Sequence, residues 1–84
     1  MAKTNYSPTF PMYPGGAVTI TPSNTVNLAN PSVVYVGSTG NVRVLTAQGD
    51  DVTFNNVPAG AVLPVQVIRV YATSTTATNL VGIY

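Results

Sequence analysis

The chain has 84 residues, no cysteine, no histidine, and charged side chains at only 6 % of positions, for a net charge of +1. This bounds it to one small domain near the lower limit of independent folding, excludes disulfide, zinc–thiolate, thiol and imidazole chemistry, and leaves little charge to oppose self-association. Its three basic residues, Lys3, Arg43 and Arg69, cannot supply the run of phosphate contacts on which nucleic-acid binding rests, so no nucleic-acid partner is expected.

Residues 1–16 interleave Pro8, Pro11 and Pro14 with Tyr6, Phe10, Met12 and Tyr13 and end in Gly15-Gly16. Each proline removes an amide donor and pushes the residue before it out of the helical region, so the segment reads as an extended arm. Tails that stay solvated are poor in aromatics, so these side chains are expected to dock on a neighbouring subunit, the competing reading being a frayed terminus. The first eight residues lack the apolar run of a secretory signal, and no 18-residue apolar window occurs, so neither export by that route nor a membrane span is expected.

From Ala17 the hydrophobic period is two, and residues 17–84 read as a single β domain. Val18 and Ile20 alternate with threonines, Pro22-Ser23-Asn24 turns the chain, and Val26 and Leu28 mark a second short strand. Ser32-Val33-Val34-Tyr35-Val36 is continuously apolar and predicts a strand buried on both faces. After the loop Gly37-Ser38-Thr39-Gly40-Asn41, Val42, Val44 and Thr46 alternate with Arg43 and Leu45. Gln48-Gly49-Asp50-Asp51 then makes a hairpin into Val52-Thr53-Phe54, with Val52 and Phe54 on one face.

Val57-Pro58-Ala59-Gly60 is a turn with Gly60 available for positive φ. The longest predicted strand runs from Val62 to Tyr71, with Val65, Val67, Arg69 and Tyr71 on one face and Gln66, Ile68 and Val70 on the other. A Thr/Ser/Ala stretch, 73–78, reads as a hydrated loop, and Leu80 to Tyr84 closes the chain as a strand. Seven short strands and no segment with helical apolar spacing predict an all-β fold. The architecture is a small antiparallel β-sandwich or jelly-roll-like barrel with an extended Pro-rich N-terminal arm.

The residues that could carry chemistry are few. Asp50 and Asp51 are the only side-chain carboxylates, and adjacent strand-end residues point to opposite faces, so a solvated turn is expected in place of an acid pair or a calcium site. The loop at 37–40 lacks the Lys-Ser/Thr step and the helix that a phosphate loop needs. Serine and threonine hydroxyls have no neighbouring base, so no enzymatic activity, cofactor or metal is expected. Arg43 and Arg69 interrupt apolar strands, and either sit at a sheet rim or pair with Asp50, Asp51 or a neighbour's terminal carboxylate.

The segments Tyr35-Val36-Gly37-Ser38-Thr39-Gly40-Asn41-Val42-Arg43-Val44, Val52 to Gly60 and Leu63 to Thr73, with the ending Thr75-Thr76-Ala77-Thr78-Asn79-Leu80-Val81-Gly82-Ile83-Tyr84, resemble the head-spike base proteins of tailed bacteriophages and gene transfer agents. The likeness spans roughly the last 50 residues and does not cover the Pro-aromatic arm. Ser38 and Ser74 stand where that family leads one to expect glycine, and Gly82 where it leads one to expect alanine. The resemblance implies a non-enzymatic capsid decoration or spike-base subunit, made in the host cytoplasm and carried on the capsid surface of the virion. Its implied partners are copies of itself in a ring or cluster, the major capsid protein, and a spike or fibre protein.

On this reading Tyr6, Phe10, Met12 and Tyr13 are arm contacts, and Arg43, Arg69, Tyr71 and Tyr84 are subunit contacts. The competing readings are a β-sandwich adhesin or carbohydrate-binding module using the Thr/Asn/Tyr surface, and a tail or neck structural component.

Overall fold

The computed structural model describes residues 14–84; the arm residues Tyr6, Phe10, Met12 and Tyr13 lie outside the described residues. Six strands follow one another: β1 (Ala17–Thr19), β2 (Val33–Ser38), β3 (Gly40–Thr46), β4 (Asp51–Val57), β5 (Val67–Val70) and β6 (Thr78–Ile83). They form two three-stranded antiparallel sheets, β1-β6-β2 and β4-β3-β5, packed as a small all-β sandwich with no helix among the described residues.

Between the sheets lie the valines that the period of two singles out. Val34, Val36, Val42, Val44 and Val67 are fully buried, and Leu80, Val70, Ile20, Leu63, Val57 and Ala77 complete the core. Valine suits this position because its branched Cβ packs well on a pleated surface.

Val67 closes one side of the sandwich. Its amide donates to the Ser32 carbonyl at 2.8 Å and its carbonyl accepts from Ser32 N at 2.9 Å, while it also pairs with Thr46 of β3. One residue therefore belongs to the edge of both sheets.

Four expectations change. The segment around Val26 to Leu28 is not a strand: the Ser23 hydroxyl accepts from Thr25 N and Val26 N, and this local turn takes backbone donors that a ladder would use. The segment meets β5 through single backbone bonds, with Ser23 N donating to Val70 O and Leu28 N to Ile68 O, each at 2.8 Å. The strand expected over Val62 to Tyr71 is broken at Pro64, which has no donor. Val62 and Leu63 lie along β2, and β5 begins at Val67 beside β3.

The third change concerns β2, which is buried on one face only: Val34 and Val36 point inward while Tyr35 is exposed. The fourth is a β-bulge in β5. Leu45 pairs with Arg69 but Thr46 pairs with Val67, leaving Ile68 as an extra residue. The bulge reverses the alternation, so Val67 and Val70 both face the core and Val67 no longer shares a face with Arg69 and Tyr71.

Candidate assembly surfaces

The two outer faces of the sandwich differ in chemistry. All four charged side chains among the described residues belong to the β4-β3-β5 half: Arg43 on β3, Asp51 on β4, Arg69 on β5 and Asp50 in the β3–β4 turn. The strands of the β1-β6-β2 sheet carry none.

On the outer face of β4-β3-β5, cross-strand register sets Thr53 beside Arg43 and places Leu45 between Asp51 and Arg69. Tyr71, immediately after β5, donates its amide to Arg43 O at 2.9 Å, which continues that row. The Arg43 guanidinium lies 4.2 Å from the Tyr71 ring centroid and that of Arg69 lies 5.5 Å from it, so the ring sits between two cations. Arg43 donates from Nε to Asp51 Oδ1 at 3.0 Å and from Nη2 to Oδ2 at 2.7 Å, a bidentate fork.

Hydrogen bonding from Arg43 holds the Asp51 carboxyl below its ordinary value, against the opposing effect of desolvation. The same bond raises the guanidinium value of Arg43 further. Arg69 donates from Nε to Asn27 Oδ1 at 2.8 Å and so ties the β1–β2 connection to this face. Arg43, Arg69 and Tyr71 are thus brought together, whereas Tyr84 lies at the end of the other sheet. There its backbone pairs with Gly16 through bonds of 2.8 and 2.9 Å.

The outer face of β1-β6-β2 is apolar. Tyr35 pairs with Val81, Val81 with Thr19, and Val62 flanks Tyr35, giving one row across the sheet. Val33, Ile83 and Ala17 make the next row. Tyr35 is 37 % and Val62 49 % exposed.

Sequence reasoning assigned the threonine run and Asn24 too small a role. Thr75 Oγ1 accepts from Arg43 N at 3.0 Å and Thr76 Oγ1 from Asn41 N at 2.8 Å, so these hydroxyls complete the edge of β3. Asn24 Oδ1 accepts from the amides of Ala72 and Thr73, and Asn24 Nδ2 donates to Thr73 Oγ1, pinning the chain after β5. Asn in a turn is a signal for local bonding. That its partners lie 48 and 49 residues away is a tertiary fact.

The stretch expected as a loop over Gly37 to Asn41 is strand on either side of Thr39, and its glycines have a steric explanation. A Cβ on Gly37 would lie 2.4 Å from Asn79 O and one on Gly40 would lie 2.5 Å from Ala77 N. The chain changes sheets here, and only glycine admits the backbone of residues 76–79 so closely. Beside that segment runs an open groove of about 400 Å³ lined by Ile20, Pro22, Ala72, Thr75, Thr76 and their neighbours, without an aromatic or charged side chain. A glycan platform normally presents aromatics, so the groove gives the carbohydrate-binding reading no support.

No protein-family profile and no curated protein matches the chain. Among solved structures it is similar to a chain described as "Capsid of native GTA particle computed with C5 symmetry", GTA denoting gene transfer agent. The identity is 39 % and the TM-score 0.74, over 84 % of this chain and 83 % of that one.

Proposed function

We infer that this chain, which belongs to the same family as that capsid chain of a gene transfer agent particle, is a virion structural protein serving as a non-enzymatic decoration or spike-base subunit on the capsid surface. The single observation that carries this reading is the match over most of both chains at 39 % identity, well above the level at which only a fold is shared.

A domain of this size with few charges gains stability from partners by mass action, and the exposed row around Tyr35 offers apolar area to bury. The arm 1–16 and the domain 17–84 then have separate tasks: the domain makes the protomer, and the arm holds neighbours or shell. Tyr6, Phe10, Met12 and Tyr13 serve as arm contacts, while Arg43, Arg69, Tyr71 and Tyr84 serve as contacts between subunits or with the shell. The partners are copies of the chain, the major capsid protein, and a spike or fibre protein.

Native mass spectrometry of the purified chain, followed by co-sedimentation with capsids lacking it, tests the reading. A closed ring that co-sediments with the shell is the expected result; five members is the first symmetry to look for, given the symmetry of the matched particle. A chain that stays monomeric at high concentration and leaves capsids unoccupied would overturn it.

A further inference from the structure

Building on the reading of the chain as an assembling virion subunit, we propose that the apolar outer face of the β1-β6-β2 sheet is the seat for residues 1–13 of a second copy of this chain. The face is specific in its chemistry. Val62, Tyr35, Val81 and Thr19 form one row and Val33, Ile83 and Ala17 the next, with no charged side chain on any of the three strands. A contiguous exposed apolar surface on a small domain marks an interaction site, and without charges it selects an apolar partner over an ionic one.

Segment 1–13 has the matching composition. Tyr6, Phe10, Met12 and Tyr13 supply large apolar side chains, and each aromatic ring can bury roughly 150–250 Å². Pro8 and Pro11 remove amide donors, so a chain lying flat on side chains leaves fewer backbone groups without partners. Thirteen residues in an extended polyproline-like form reach about 40 Å. Three strands span about 10 Å. The segment is therefore long enough to leave one protomer and cross the sheet of another.

The direction in which it departs selects a second copy. Gly16 continues the β1 ladder by pairing with Tyr84 beyond the Ala17–Ile83 pair, and the Tyr84 ring occupies the space where a Gly16 Cβ would stand, 2.6 Å from Cε2. The ladder therefore aims the preceding chain past the end of its own sheet. Reaching its own outer face would need the chain to reverse before Gly16. Exchange between copies needs no reversal, and when every subunit both gives and receives a segment the assembly closes on itself.

The test uses the full chain with a photoreactive benzoyl-phenylalanine replacing Phe10, prepared unlabelled and ¹⁵N-labelled, mixed, irradiated and mapped by mass spectrometry. Mixed light–heavy cross-links from position 10 to the peptides carrying Tyr35, Val62 or Val81 are expected. They should be lost in Tyr35→Lys and Val62→Lys, both exposed positions, and retained in Thr53→Lys on the opposite sheet; circular dichroism verifies that each variant is folded. Cross-links confined to light–light and heavy–heavy pairs, cross-links to the β4-β3-β5 face, or none at all would overturn the proposal. Co-sedimentation with capsids is scored separately. Capsid binding without exchange defeats this inference alone, and exchange without capsid binding defeats the virion reading alone.

Discussion

Arg43 stacks over Tyr71 at 4.2 Å because a bulge at Ile68 turns Tyr71 and Arg69 to the outer face while Val67 and Val70 turn inward. One inserted residue thereby sorts β5 into a core side and a charged side. Strict alternation would have put Val67 on the outer face with the arginine.

The Arg43–Asp51 fork makes a pH prediction. Asp51 titrates below the ordinary aspartate value in the folded state, so its contribution to stability is present above the unfolded carboxylate range and is lost as the pH falls through the folded value. Both groups are solvent-facing, so the effect is small and weakens with salt. A carbon-detected NMR titration should place the Asp51 midpoint low, and Arg43→Lys, which removes the planar fork, should move it toward the ordinary value. A normal midpoint in the unaltered chain would show that the fork does not form in solution.

Ser74 adopts φ of 73°, in the left-handed region that serine occupies at a cost. Ser74→Gly relieves about 1–2 kcal/mol of backbone strain and adds about 0.5–1 kcal/mol of unfolded-state entropy, for a net gain of about 0.5–1 kcal/mol. Urea melts at one fixed protein concentration measure it, and a loss of stability would contradict the backbone assignment.

Gly40→Ala should be among the more damaging glycine substitutions, since its Cβ would meet backbone atoms of Ala77 at 2.5 and 2.7 Å. We expect a loss of about 2–3 kcal/mol from forced backbone shifts. Gly15→Ala, with no atom of the described residues within 4 Å of the added carbon, should stay within about 0.5 kcal/mol of the parent.

Leu80→Ala in the centre of the β1-β6-β2 sheet empties a fully enclosed position and should cost about 2–5 kcal/mol. Because the Val67 amide joins the two sheets by donating to Ser32 O, Val67→Pro, which removes that donor, should also lower unfolding cooperativity, read as a shallower denaturant slope. An unchanged slope would mean that the join between the sheets is held elsewhere.

Much of this could be read along the chain. The turns at Gly49 and Gly60 occur where glycine permits positive φ, at 96° and 86°. The shared face of Val52 and Phe54 follows from their pairing with Val44 and Val42. Local periodicity carries such features because a hairpin's register depends on residues close in sequence. Of the departures from the resembling family, Ser74 shows why glycine is expected there, while Ser38 gains a hydrogen bond from Asn79 Nδ2 at 3.0 Å. Gly82 is tightly faced by Ile20 and Ser32, each within 3.2 Å of a Cβ.

Composition and the period of two determined by themselves that this chain is all-β, without thiol or imidazole side chains, and short of charge. Tertiary structure alone decided which distant segments share a surface. The bulge at Ile68, the break at Pro64 and the crowding of Gly37 and Gly40 by residues 76–79 each depend on contacts between distant segments. In a sheet a single inserted residue exchanges one face for the other, so the composition of each outer surface is settled only when the strands meet.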